Sequence, residues 1–410
     1  MVASSAMFVV VLGATIFYGL GTIFTPIREE YGWSSAATAA AFSVRSQGTG
    51  IAAPFVGIAI TRIGPRLTYL IGIILTAAGL VMLSYINGIA TFYGAMFLIS
   101  VGGSACGGQV GLVVTATWFR RRRATAMSLL TIGGGLSGLL VVPMALLIDA
   151  IGWREALRLI AVVIVVVGMV PVSNSRFRPD DHPEPIDGRP RPEGESEADE
   201  ARADWGLSTG AAVRTRAFAF LSIAMTAVSF GTTALVVHQI PFLEAAGIGS
   251  TTAAALVTVY TVTSTFGRIG FGMLGDRIPK RATMAICMAL IALGLLLLPL
   301  VHTTVQAAAV LMIIAPGFGG NIPLRSAMLA DYFGTRNFGT ISGIGVFLQT
   351  LGAFAGPLAV GAAVDATGSY TVGWWITAIC VAVAIPCVLL ARPPIPEATR
   401  APRELPMMVD

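Results

Sequence analysis

Residues 272–281 read GMLGDRIPKR, and residues 57–66 read GIAITRIGPR. The two stretches lie 215 positions apart and pair Gly57 with Gly272, Arg62 with Arg277 and Arg66 with Arg281. The same offset lays TPIREEYGWSS (25–35) over IPFLEAAGIGS (240–250), matching Pro26 with Pro241, Glu29 with Glu244 and Gly32 with Gly247. An offset of 214 lays WFRRRRATAMS (118–128) over YFGTRNFGTIS (332–342), and Pro143 over Pro357. Coincidence explains one such pairing but not a near-constant spacing over this length, so the chain reads as two copies of one unit in parallel.

The unit is a membrane unit. Of 410 residues, 55% are hydrophobic and 11% charged, and the mean hydropathy is +0.80, values outside the range of a soluble domain of this length. Apolar runs long enough to span a bilayer, about 20 residues each, recur near 7–27, 36–60, 67–87, 91–117, 124–148, 154–172, 217–243, 251–275, 283–300, 305–330, 338–364 and 371–391. They are too long and too little alternating for barrel strands. The expected fold is therefore all-α and integral to the membrane: twelve transmembrane helices in two six-helix, pseudo-symmetric halves. The halves fall at 1–172 and 214–393, joined by a linker at 173–213 and followed by a tail at 394–410. The linker is rich in Pro, Glu, Asp and Gly, and it cannot bury enough apolar surface to fold alone.

The first run lacks a basic leader and a small-residue cleavage site, so it reads as a retained helix. The four cysteines, Cys106, Cys287, Cys380 and Cys387, all fall inside spans and imply neither disulfide nor metal. No cofactor is expected. The even-numbered connections carry Arg62, Arg66, Arg120 to Arg123, Arg277, Lys280, Arg281 and Arg336; the odd ones carry Arg28, Arg154 and Arg158. By the positive-inside rule both termini are expected in the cytoplasm, in a multi-pass protein of the cell membrane. A membrane surface accounts for the net charge of +5 without nucleic acid. The expected partners are the bilayer and a small substrate, with the chain working as a monomer.

Parallel six-helix repeats are the arrangement of major facilitator transporters, and this sequence resembles that superfamily in detail. GMLGDRIPKR is similar to its signature G-x-x-x-D-R-x-G-R-R, with Pro279 in place of the second glycine. In GIAITRIGPR, Thr61 stands where the acid belongs. The resemblance implies that Asp276, Arg277, Lys280 and Arg281, with Arg62 and Arg66, latch the cytoplasmic face, the N-terminal copy more weakly. A narrower resemblance, to the monocarboxylate and oxalate/formate branch, rests on GWSSAATAAAFS (32–43), WFRRRRATAMSL (118–129), VHQIPFLEAAGI (237–248), Arg268 and DYFGTRNFGTISG (331–343). In that branch an arginine of the eighth helix binds the substrate carboxylate, and Arg268 occupies its position.

The residues themselves point the same way. Arg268 lies eight positions above Asp276, roughly 12 Å inside the span. An arginine at such depth costs about 2.5–3.5 kcal/mol unless it faces water or a partner, and its planar fork suits a carboxylate. Arg45, in the outer part of span two, is a second candidate, for attracting substrate or gating, with outward snorkelling or pairing with Glu29 or Glu30 as the plain alternative. Arg325 fits either a helix contact or an inner vestibule, the first being preferred. His238 falls where the branch has a histidine at its substrate site. Ser264 shares the face of Arg268 one turn away. Gln109 and Asn321 offer polar groups at plausible depth, or simple interhelical hydrogen bonds. The oxalate-type relatives add a lysine in helix eleven, where this chain has only Gln349 as a polar candidate, so a single central cation and a monocarboxylate are expected.

The expected function is secondary transport of a small organic anion by alternating access, possible as proton symport because the substrate carboxylate can itself carry the proton. Export of an amphipathic compound by proton antiport would call for a membrane-embedded acid, and none stands in the spans. An enzyme lacks its catalytic groups here, and a sensor lacks an output domain. Gly270, Gly272 and Gly275 spell G-x-G-x-x-G, but they end a membrane helix rather than follow a strand, which rules out a dinucleotide loop.

Overall fold

The computed structural model describes residues 2–20, 23–33, 35–119, 121–174 and 205–394. Arg120, most of the linker (175–204) and the tail from 395 lie outside the described residues. The described residues are almost entirely helical, and they form twelve membrane-spanning helices in two halves.

Span one is Val2–Gly13, continued by a π-helical turn, Ala14–Gly19. A short helix, Phe24–Tyr31, follows and is closed by Gly32 in the left-handed conformation, φ 64°. Its repeat partner Gly247 also has positive φ, 82°, so the duplication read in the sequence is visible in the backbone. Spans two and three form one stretch, Ser35–Ser84, broken at Gly64 with φ 82° and ψ 165°. Only glycine takes that conformation without strain, and Pro65 then starts the next helix at the position where a missing N–H is harmless. The counterpart of Gly64 is Pro279, whose φ is −53°. The C-terminal copy therefore ends its helix at Gly275 and turns through a separate loop.

Span four runs as Ile89–Cys106 and Gly108–Trp118. Span five is Arg123–Leu136, a tight turn, then Val141–Ile151, bent by 45° ahead of Pro143. Span six is Trp153–Asn174, and spans seven to twelve are Arg216–Ala245, Ser250–Gly275, Lys280–Leu297, Thr304–Phe333, Phe338–Thr367 and Tyr370–Leu390. Among the described residues, eight helices meet a length and hydropathy criterion for spanning on their own, and the bent span five makes nine. Span eight is long enough at 26 residues but is diluted by Arg268 and its hydroxyl neighbours.

Lipid offers no hydrophobic drive between helices, so close packing and small residues must join them. The halves meet where spans two and eleven cross, and where spans five and eight cross. Glycine makes both crossings: a Cβ on Gly57 would overlap the Gly339 backbone, one on Gly343 the Ala53 carbonyl, and one on Gly272 the Ser128 side chain. Large apolar side chains such as Phe55, Leu139 and Phe266 point outward.

The linker is not featureless to its end. Gly206 pairs with Gly334 in an antiparallel bridge, Leu207 N–H donates to Phe333 O at 2.9 Å, and Thr335 N–H donates to Trp205 O at 3.1 Å. A short helix, Thr209–Val213, follows, capped by Ser208. These backbone groups are satisfied by the loop between spans ten and eleven, a pairing that composition alone cannot reveal.

Candidate functional site

Arg268 is 7% exposed. Its side chain leaves span eight toward the other half, and Nη1 donates to the carbonyl of Thr131 in span five. Gly134 and Gly135 leave the room: a Cβ at either would stand 3.4 or 3.5 Å from Nη1. Span ten presses on the opposite side, since a Cβ on Gly319 would meet the Ser264 carbonyl and the Arg268 amide. The guanidinium is thus fixed at the seam between the halves. The acids of the described residues, Glu29, Glu30, Asp149, Glu155, Glu244, Asp276, Asp331 and Asp365, all stand at helix ends, while Arg45, Arg268 and Arg325 stand within spans.

The other residues singled out in the sequence separate into groups. Ser264 is buried, and its hydroxyl donates to Thr261 O at 2.8 Å in its own helix. Asn321 is 5% exposed on span ten, one turn from Arg325, and its Oδ1 has no hydrogen-bond partner. Gln109 donates to Ala53 O at 3.4 Å and to Gly339 O at 3.3 Å, tying span four to spans two and eleven. Arg45 is half-buried, ten residues from the start of span two. His238 stands apart, seven residues from the far end of span seven, with its ring nitrogen 3.0 Å from Pro357 O and its ring against Tyr370. It is roughly 16 Å from Arg268 along the bundle axis.

The helix contact preferred for Arg325 is present, whereas Tyr260 was not singled out from the sequence. Arg325 extends from span ten to span eleven, where its Nη1 donates to Gln349 Oε1. Tyr260 lies two turns from Arg268 on the same face of span eight, buried and stacked on Phe318 at 5.6 Å. A Cβ on Gly275 would meet Leu324, so Arg325 stands level with the basic end of span eight, below Arg268.

At that end Asp276, its side chain 8% exposed, sits on the N-terminus of span five. It accepts from Ala124 N at 3.1 Å, Thr125 N at 2.9 Å and Thr125 Oγ1 at 2.7 Å. A carboxylate there satisfies orphan amides and meets the positive end of the helix dipole. Arg123 pairs with Asp331, and Lys280 bridges Asp331 at 2.8 Å and Asp276 at 3.9 Å. Thr125, Arg123 and Asp331 were not singled out from the sequence. Arg66 instead holds the end of span six, donating to Val172 O at 3.1 Å and Ser173 O at 3.0 Å. Arg62 and Arg277 are exposed, and Arg281 is half-buried at the rim of a basic cavity of about 850 Å³. Thr61, the counterpart of Asp276, donates to Gly57 O at 3.0 Å in its own helix and reaches span eleven through a 3.4 Å contact with Thr340.

Two six-helix bundles closed on each other at one end, with a cation buried in the seam, define a membrane transporter. The family model of the Major Facilitator Superfamily matches residues 6–242 and 219–407, so the chain belongs to that superfamily and is a transporter, not an enzyme. Human monocarboxylate transporter 11 is 27% identical over 92% of this chain and 79% of its own length. Bovine monocarboxylate transporter 13 is 26% identical over 76% and 70%. Among solved structures, the human organic anion transporter MFSD10 superposes with a TM-score of 0.74 at 14% identity, covering 94% of this chain and 98% of its own. The fucose:proton symporter of E. coli superposes with a TM-score of 0.71 at 16% identity, covering 95% and 98%.

Proposed function

We propose that the chain carries a small organic anion bearing a carboxylate, by alternating access, and that Arg268 grips that carboxylate. The observation that carries this reading is the place of Arg268, a guanidinium 7% exposed at the seam, its Nη1 on the Thr131 carbonyl of the other half. Burying a guanidinium within a membrane span is expensive, and an arriving carboxylate lowers that expense while two parallel N–H groups orient it. Because Arg268 belongs to span eight and its bond to span five crosses the seam, an anion that takes over the guanidinium weakens a tie between the halves. The names of the relatives support a monocarboxylate. The basic end is the cytoplasmic one in this reading, with both termini inside, and the substrate carboxylate brings its own proton.

Uptake of labelled carboxylates into proteoliposomes, with and without an inward proton gradient, tests the proposal. Arg268→Ala is expected to lower kcat/KM by roughly two orders of magnitude or more, the loss of a charged bidentate contact of about 3 kcal/mol. A variant that transports as well as the parent removes Arg268 from the substrate site. Uptake of hydrophobic cations alone removes the anion reading altogether.

A further inference from the structure

The basic end holds a cavity of about 850 Å³ that the transport reading leaves without a task. Five cations, Arg123, Arg277, Lys280, Arg281 and Arg392, line it against two carboxylates, Asp276 and Asp331, an excess of three positive charges. The carboxylates are already engaged. Asp276 takes the amides of Ala124 and Thr125 and the Thr125 hydroxyl, and Asp331 takes Arg123 and Lys280. Among the described residues, the side chains of Arg277, Arg281 and Arg392 make no ion pair.

Parts of the chain outside the latch are fixed around this space. Arg392 lies just past span twelve, and Tyr332 of span ten holds that end by donating its hydroxyl to Ala391 O at 2.8 Å. Trp205 lines another side, held where the Thr335 amide donates to its carbonyl at 3.1 Å. Arg277 and Arg281 come from the turn between spans eight and nine. Three guanidinium forks around one cavity suit an anion whose oxygens point in several directions. A phosphate monoester has three acceptor oxygens and a charge of about −1.5 to −2 at neutral pH, whereas a carboxylate has two oxygens and a single charge. The volume lies within the usual range of small-molecule pockets, about 300–1,000 Å³. Basic pockets at this end of a helix bundle also suit lipid head groups, and an indole favours the membrane interface.

We infer that this cavity is a binding site for a phosphate monoester, free or as the head group of a membrane lipid, held by Arg277, Arg281 and Arg392. The inference goes beyond the transport reading and does not depend on the role of Arg268.

The test is titration of the purified full chain in neutral detergent, read by microscale thermophoresis. The titrants are glycerol 3-phosphate and dioctanoyl phosphatidic acid, which present the same phosphomonoester without and with acyl chains, and propionate. The parent is expected to bind a phosphomonoester at least about 10-fold more tightly than propionate. Arg281→Gln and Arg392→Gln are each expected to weaken that binding by about 10-fold, one charge-assisted contact. Arg214→Gln removes an exposed cation at the same end but outside the cavity, and it is expected to leave binding unchanged. Equal melting temperatures of the unliganded variants separate lost binding from lost folding. Tighter binding of the lipid supports the site as one for a head group, and equal binding supports it as one for a free phosphate. A parent that binds neither monoester, or binds propionate as tightly, overturns the inference, as does an Arg214→Gln variant that loses as much as the cavity variants. Binding that emerges only after the acids between positions 193 and 204 are neutralised also overturns it, since the chain's own linker is then the occupant.

Discussion

Replacing Asp276 by alanine is expected to open the basic end. In the structure this carboxylate accepts two backbone amides and one hydroxyl from the first turn of span five, all across the seam. Loss of an acidic cap costs about 1–2 kcal/mol, and charge-assisted hydrogen bonds contribute about 1.5–3 kcal/mol each before the donors recover water. Because the amides are re-solvated once the end opens, a net shift of about 2–3 kcal/mol is the reasonable figure, which is roughly 30- to 150-fold in the ratio of closed to open forms. Spin labels at positions 62 and 281, measured by double electron-electron resonance in a background freed of reactive cysteines, report the separation of the two basic loops. The distance distribution is expected to lengthen for Asp276→Ala and to shift only partly for Asp276→Asn, which keeps one acceptor oxygen. An unchanged distribution in the alanine variant, with the protein folded and monodisperse, would refute the assignment of this contact as the latch.

Thr61→Asp supplies the acid that the N-terminal copy lacks beside span eleven, and it is expected to bias the same distribution toward short distances while slowing transport. Gly57→Ala places a methyl against the Gly339 backbone; overpacking of this kind costs about 1–3 kcal/mol, read as a lower melting temperature in detergent, and an unchanged melt would show that the crossing yields freely. At the opposite end, Glu30 takes both oxygens to Arg154, at 2.6 and 2.7 Å, and the bond to Arg154 holds its carboxyl below the usual carboxylate range. With a lowered folded pKa, the contribution is present above the unfolded value of about 4 and is lost as pH falls through the folded value. The pair is largely exposed and screened, so Glu30→Gln is expected to lower stability by about 0.2–1 kcal/mol at neutral pH and to make no difference in strong acid; a difference that persists there would contradict the pairing.

Much of the fold was legible because its determinants are local. Spanning length and hydropathy are properties of short windows, and the duplication announces itself through an offset that reaches even the positive-φ pair Gly32 and Gly247. Arg268 was legible for the same reason, as a charge placed too deep to snorkel. Less local features were read incompletely. The last linker residues look unfolded by composition, but Trp205 to Leu207 find backbone partners at residues 333 to 335. Gln109 and His238 were visible as polar residues, yet their neighbours were not: one ties three spans together, and the other sits against Pro357 and Tyr370 far from Arg268.

From the sequence alone come the membrane class, the count of spans, the two-fold repeat, the basic end and one buried cation, since each depends on residue type and spacing along a single helix. The tertiary structure alone decides which helices share a seam and which faces they turn to it. A residue advances about 100° around a helix at each step, so a small change of rotation or pairing exchanges one set of neighbours for another without altering the pattern of the sequence. For that reason Asp276 could be recognised as part of a loop motif, but its seat on the amides of Ala124 and Thr125 could not. The seat of Arg268 on the Thr131 carbonyl, between spans eight and five, likewise becomes visible only when the bundle is assembled.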